Sequence, residues 1–241
     1  MVKISMEGYI QVTGGKVWYK KSGENNGIPL VVLHGGPGFP HNYLEALEDL
    51  EDEREVIFYD QLGCGKSDWP DDKSLWTVDR FTTELEEVVT FLKLDKYHIL
   101  GQSWGTALAV SFALKNPTGL KSLVLADPYL SSPLWIKDVK RLEKTLPKDI
   151  QEIMKKHENE GTTDSVEYEQ TTDEFVKRFV TRLDTPSDAL RQSRAGKNDD
   201  IYKYMWGAQE SSISGNLKDF DVTNRLSEIE IPVLLVCGRY D

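Results

Sequence analysis

Short uninterrupted apolar runs alternate along this chain with stretches in which apolar residues recur every three or four positions. Leu30-Val31-Val32-Leu33, Val56-Ile57-Phe58-Tyr59, Tyr97-His98-Ile99-Leu100 and Ser122-Leu123-Val124-Leu125 read as buried strands. Residues 9–12 and 17–20 flank Gly14-Gly15 and predict a hairpin. Helical spacing separates the later strands, notably over residues 78–92 and 106–114. Strands alternating with helices imply an α/β fold with a mostly parallel sheet covered on both faces. From residue 133 to about 223 charged amphipathic helices dominate, carrying Val139, Leu142, Leu146, Ile150, Met154, Phe175, Phe179 and Val180. Residues 158–173 are polar and read as a loop or loose helix. Ile231-Pro232-Val233-Leu234-Leu235-Val236-Cys237 then resumes the core as another buried strand. The pattern divides the chain into a core (1–132), an inserted helical cap (133–223) and a resumed core (224–241).

One junction of strand and helix carries candidate chemistry. Gly101-Gln102-Ser103-Trp104-Gly105 reads G-x-S-x-G between a predicted strand and a predicted helix. A serine on so sharp a turn is pushed clear of the sheet, and the small residues beside it permit the turn. The following helix brings unpaired N–H groups and a positive dipole end to the same place, which suits a nucleophile that must carry an oxyanion. Val31-Val32-Leu33 also runs into the glycine-rich loop His34-Gly35-Gly36-Pro37-Gly38. In a serine hydrolase of this architecture such a loop supplies one oxyanion donor and the residue after the nucleophile supplies the other. Those donors are the backbone N–H groups of Gly36 and Trp104.

Together, His34-Gly35-Gly36-Pro37-Gly38, Tyr59-Asp60-Gln61-Leu62-Gly63-Cys64-Gly65-Lys66-Ser67 and Gly101-Gln102-Ser103-Trp104-Gly105 resemble the proline iminopeptidase (prolyl aminopeptidase) family of α/β-hydrolases. The nearest branch is the tricorn-interacting aminopeptidase type, and the resemblance runs from Tyr9 to Asp241. It implies a cofactor-free enzyme that removes single N-terminal residues, often proline, from short peptides. Asp241, after the strand that follows the cap, fits the family's catalytic aspartate. Asp127, in Ala126-Asp127-Pro128, is a second candidate for the acid, ranked below it. Glu210, in Met205-Trp206-Gly207-Ala208-Gln209-Glu210, matches a family glutamate that meets the substrate's ammonium group. Gly35 and Trp206 join Glu210 as expected substrate-binding residues. Trp104 reads either as pocket lining or as core beneath the cap.

The histidines do not fit as simply. His34, His41, His98 and His157 all precede Asp241, whereas the family's general base follows it. The expectation is a C-terminally truncated form lacking about 40–60 residues, a last strand, loop and helix by ordinary element lengths. A separate C-terminal piece could complete such a fold. The alternatives are an esterase or amidase on small acyl substrates, and a non-catalytic binding protein on a hydrolase scaffold.

Composition narrows the classes further. Asp+Glu 40 against Lys+Arg 29 gives a formal charge of −11, which disfavours nucleic acid and anionic membranes. No apolar run approaches the roughly 20 residues of a membrane span, and the N-terminus lacks a secretory core. Cys64 and Cys237 are the only cysteines and read as free thiols in a cytoplasmic protein. Gly65-Lys66-Ser67 lacks the upstream glycine of a phosphate loop, since Asp60 stands there. No histidine spacing suggests a metal.

Overall fold

The computed structural model describes residues 5–24, 27–163, 165–208 and 212–239. β1 (Ser5–Val12) and β2 (Gly15–Ser22) form the expected antiparallel hairpin. The remaining strands are β3 (Leu30–Leu33), β4 (Val56–Tyr59), β5 (Tyr97–Gln102), β6 (Leu120–Ala126) and β7 (Val233–Val236). They build a seven-stranded sheet in the order β1-β2-β4-β3-β5-β6-β7. β2 pairs antiparallel with β4, and every pairing from β4 to β7 is parallel.

Register explains why the apolar runs are uninterrupted. Val31, Ile99 and Leu123 lie side by side on one face and join the main core. α1 (Val78–Phe91) supplies Phe81, Leu85 and Val88 to that core, and α2 (Trp104–Ala113) is buried at every position except Ser111. The opposite face, with Leu30, Val32, Val56 and Phe58, packs on Leu44, Leu47 and Leu50 of a 3₁₀ segment, His41–Leu50. Strands covered on both faces have no polar side to alternate with.

α3 (Ser132–Glu143), α4 (Lys148–Glu160), α5 (Val166–Phe179), α6 (Asp188–Ala195) and α7 (Asp199–Met205) lie between β6 and β7. Val139, Leu146, Met154, Tyr168 and Phe175 form a separate small core there. The polar stretch 158–173 is mostly helical, the second of the two forms expected of it. Ser165 caps α5 by accepting the Tyr168 N–H, and the helix buries Tyr168, Thr171, Thr172 and Phe175 on one face. Threonines on that face hide its helical period from a reading based on apolar residues alone.

β7 resumes the sheet beside β6, as its apolar run predicts, and its side chains are exposed along its length, from 43% at Val233 to 64% at Leu235. Among the described residues no strand pairs with its outer edge. Among the described residues, no helix is long and apolar enough to cross a membrane.

The parallel strands point their C-terminal ends the same way, so His34, Ser103, Asp127 and Cys237 follow neighbouring strand ends. That end of an open α/β sheet is where ligands ordinarily bind. α2 approaches it so closely that a methyl group on Gly105 would overlap the Leu33 carbonyl oxygen and come within 2.9 Å of the His34 oxygen. A methyl on Gly101 would meet the Gly105 carbonyl. Gly105→Ala is therefore expected to cost about 2–3 kcal/mol through overpacking, read as a lower urea midpoint at unchanged slope. An unchanged midpoint would contradict this packing.

Candidate active site

Ser103 stands between β5 and α2 at φ 52°, ψ −120°. A non-glycine residue in that region carries backbone strain of about 1–3 kcal/mol and persists only when its surroundings impose it. Here the Ser103 N–H donates to Ala126 O at 3.0 Å, and its carbonyl accepts the Thr106 N–H at 2.8 Å. The Thr106 hydroxyl also donates to Ser103 O, at 2.6 Å, and accepts the Tyr129 N–H at 2.9 Å. The elbow is thus tied to the ends of both β5 and β6. The Ser103 hydroxyl itself has no hydrogen-bond partner among the described residues.

The glycine-rich loop is held to this elbow from below. His34 is fully buried, with Nδ1 3.0 Å from Gly35 O and Nε2 accepting the Gln61 N–H at 2.9 Å. That pattern assigns the proton to Nδ1 in a neutral ring. Burial pushes the His34 pKa down to about 4, which outweighs the attraction of Asp60. Gln61 donates to His34 O at 3.0 Å and accepts the Trp104 indole N–H at 2.9 Å. The Tyr43 hydroxyl accepts the Gly35 N–H at 2.6 Å and donates to Gln102 Oε1 at 2.7 Å. These side chains therefore join the loop after β3 to the residues on either side of Ser103.

This lattice refines the expected roles. The Trp104 indole is core, fully buried against Phe81, so only its backbone N–H remains a candidate donor. That N–H opens α2, where helix geometry provides no intrahelical acceptor. Gly36 lies at φ 120° and its N–H has no backbone acceptor among the described residues. Gly35, an expected substrate contact, gives its N–H to the Tyr43 hydroxyl and so also shapes the loop. Tyr43, Gln61 and Gln102 were missed in the sequence, since their partners lie tens of residues away and no local spacing announces them.

The histidines are engaged elsewhere. His41 is buried, stacked on Trp18, with Nδ1 2.7 Å from Asp60 and Nε2 3.3 Å from Glu45. Burial would raise the Asp60 carboxyl, but the His41 hydrogen bond and charge, His34 and the Lys66 N–H hold it below its usual range. His98 reaches Ser122 across the sheet at 2.7 Å. His157, in α4, lies between Thr162 at 2.7 Å and Glu167 at 2.8 Å. Cys64 is buried beside Gln61 O and Phe39 O, and burial pushes its thiol well up, which keeps it protonated.

Ser103 opens into a cavity of about 520 Å³. Tyr129, Trp135, Phe175, Phe179 and Trp206 give it an aromatic wall, and Asp127 and Cys237 stand with Ser103 at the strand ends. Trp206 is among the lining residues and packs on Tyr129 and Trp135 with ring centres 4.9 and 5.6 Å away. Asp127 sits at φ 48°, and its Oδ1 accepts the Gly238 N–H at 3.2 Å. Asp241 and Glu210 lie outside the described residues. Among the described residues, no group of three His, Cys, Asp or Glu side chains could hold a metal ion.

Comparison with known proteins agrees with this geometry. Residues 28–241 match the family described as the alpha/beta hydrolase fold. A proline iminopeptidase of Heyndrickxia coagulans is 50% identical over 98% of this chain and 82% of its own length. The crystal structure of VinJ superposes with a TM-score of 0.91 at 34% identity, covering 98% of this chain and 82% of that one. The crystal structure of the Mycobacterium smegmatis proline iminopeptidase superposes with a TM-score of 0.88 at 35% identity, over 98% of this chain and 82% of that one.

Two buried groups beneath the site make a pH prediction. His34, near 4 against an ordinary 6.5, supports the folded state fully above pH 6.5, and that support is lost as pH falls toward 4. The loss is at most roughly 3 kcal/mol. Glu84 accepts the Leu62 N–H, and burial lifts its carboxyl from 4.5 to about 7 despite Arg80. Its support is full below pH 4.5 and is lost as pH rises through 7, so the two groups oppose each other. Urea midpoints from pH 4 to 7.5 are expected to fall with rising pH in His34→Gln and rise with it in Glu84→Gln. Parallel profiles in the two variants would refute the assignment. With the strained serine elbow, the loop locked beneath it and this set of relatives, the chain belongs to the proline iminopeptidase family of α/β-hydrolases.

Proposed function

We propose that the protein is a serine aminopeptidase that releases N-terminal proline, or another small or apolar residue, from short peptides. The observation that carries this reading is Ser103, held at positive φ in the lining of an aromatic cavity, its hydroxyl without a hydrogen-bond partner among the described residues. The names of the relatives give the reaction class. In this reading Ser103 Oγ attacks the first peptide carbonyl while a base takes its proton. The oxyanion receives the N–H groups of Gly36 and Trp104. Collapse of the intermediate returns the proton to the leaving amine and leaves an aminoacyl ester on Ser103. Water then attacks that ester with the same base and releases the amino acid.

Asp241 is the proposed orienting acid, and Glu210 the proposed anchor for the substrate ammonium group. The proposed base is a histidine outside these 241 residues, because His34, His41, His98 and His157 have other commitments. A partner piece or further segment that supplies it belongs to the same proposal. Two free cysteines, Cys64 and Cys237, support a reducing cytoplasmic setting.

Ser103→Ala is expected to lower kcat/KM for prolyl, alanyl and leucyl chromogenic amides by a factor on the order of 10³ or more. Glu210→Ala is expected to weaken cleavage of these aminoacyl amides severely while sparing simple esters. Retained activity in Ser103→Ala would overturn the nucleophile. Equal losses on amides and esters in Glu210→Ala would remove the amine anchor and favour an esterase.

A further inference from the structure

We propose that Arg141 binds the C-terminal carboxylate of a short peptide whose first residue is held at Ser103, so that the enzyme prefers tri- and tetrapeptides with a free acid end. This inference rests on the aminopeptidase reading and specifies the far end of its substrate.

The cavity is longer than a site for one amino acid requires. Its lining follows one face of α3 through Leu134, Trp135, Asp138, Val139, Arg141 and Leu142. From Leu134 to Leu142 that face runs about 12 Å at 1.5 Å per residue. An extended peptide advances about 3.3–3.6 Å per residue, so the groove takes about three residues. The start of α3 is anchored to the nucleophile. The Tyr129 hydroxyl meets Ser132 Oγ at 2.5 Å, and the Tyr129 N–H donates to the Thr106 hydroxyl, which donates to Ser103 O. Arg141 therefore stands at the end of the groove remote from the elbow.

Charge is arranged along the groove in the sense of a bound peptide. Asp127 lies at the catalytic end, and Arg141, the one cationic side chain among the described lining residues, stands at the far end beside Asp138. Arg141 Nε donates to Asp138 Oδ1 at 3.1 Å. Its two terminal nitrogens, the fork that pairs a carboxylate in parallel, have no partner among the described residues. Its helix neighbour Lys140 is already paired with Glu143 and Glu158. In a chain of net charge −11, an incoming carboxylate is repelled overall, so a local cation is needed to hold it. A guanidinium in the last turn also suits the negative end of the helix. That role alone would not distinguish a peptide acid from its amide.

The test is the ratio of kcat/KM for a prolyl tripeptide acid to that for the same tripeptide amide. It is measured on the complete active enzyme alongside a prolyl chromogenic amide. Wild type is expected to favour the acid about three- to tenfold, mainly through KM, with the preference shrinking as salt is raised. Arg141→Ala is expected to bring the ratio to about one, and Arg141→Lys to retain part of it. Lys137→Ala, which removes an exposed charge from the same helix outside the cavity lining, is expected to keep the wild-type ratio. Cleavage of acid and amide at equal kcat/KM, with the chromogenic amide also cleaved, would overturn the Arg141 assignment and leave the aminopeptidase reading standing. A ratio lost equally in Lys137→Ala would also overturn it. Failure to cleave any of the three substrates would overturn the aminopeptidase reading and this inference with it.

Discussion

The site depends on one steric constraint, the approach of the α2 backbone to the end of β3. Gly105 lies where any side chain would strike the Leu33 carbonyl, and Gly101 where it would strike Gly105. With both glycines in place, the chain can turn from strand to helix within a single residue. Ser103 is that residue, and it takes the positive φ the turn demands. The strain is carried by hydrogen bonds to Ala126, Thr106 and, through Thr106, Tyr129. The same geometry aims the serine hydroxyl away from the sheet and places the first N–H of α2 beside it.

A second layer of order lies beneath the elbow. Neutral His34, Gln61 and the Trp104 indole are linked in sequence, and Tyr43 closes the set from the other side through Gly35 and Gln102. His34, Gln61 and Trp104 are buried and Tyr43 and Gln102 half-buried, and a buried polar group left unpaired is costly. Such a network favours one arrangement of the glycine-rich loop over its neighbours. This accounts for a histidine in that loop without assigning it any proton transfer. Preorganised N–H donors need this kind of support, because an oxyanion site gains from donors that do not have to move.

Much of the fold was legible because burial on both faces leaves a plain signature. The runs at Leu30–Leu33 and Val56–Tyr59 have no polar side, and the hairpin at Gly14-Gly15 is marked by its turn. The serine elbow was legible because steric demand writes glycine at fixed offsets around Ser103. The network was not legible: Tyr43 and Gln102, or Gln61 and Trp104, are joined only by tertiary folding. Of the helices between β6 and β7, α5 was only loosely marked, because it buries Thr171 and Thr172 with Tyr168 and Phe175. β7 was legible as a strand from its apolar run, and it pairs with β6. Asp241 and Glu210 lie outside the described residues, so their proposed roles rest on the resemblance alone.

The most direct test of the account is a crystal structure of the protein with a boronic-acid analogue of proline, which forms a tetrahedral adduct on a nucleophilic oxygen. The account predicts a bond from boron to Ser103 Oγ, the pyrrolidine ring against Trp206, and one boronate oxygen about 2.7–3.1 Å from the N–H groups of Gly36 and Trp104. An adduct on another residue, or a Ser103 adduct whose oxygens face away from both N–H groups, would contradict it.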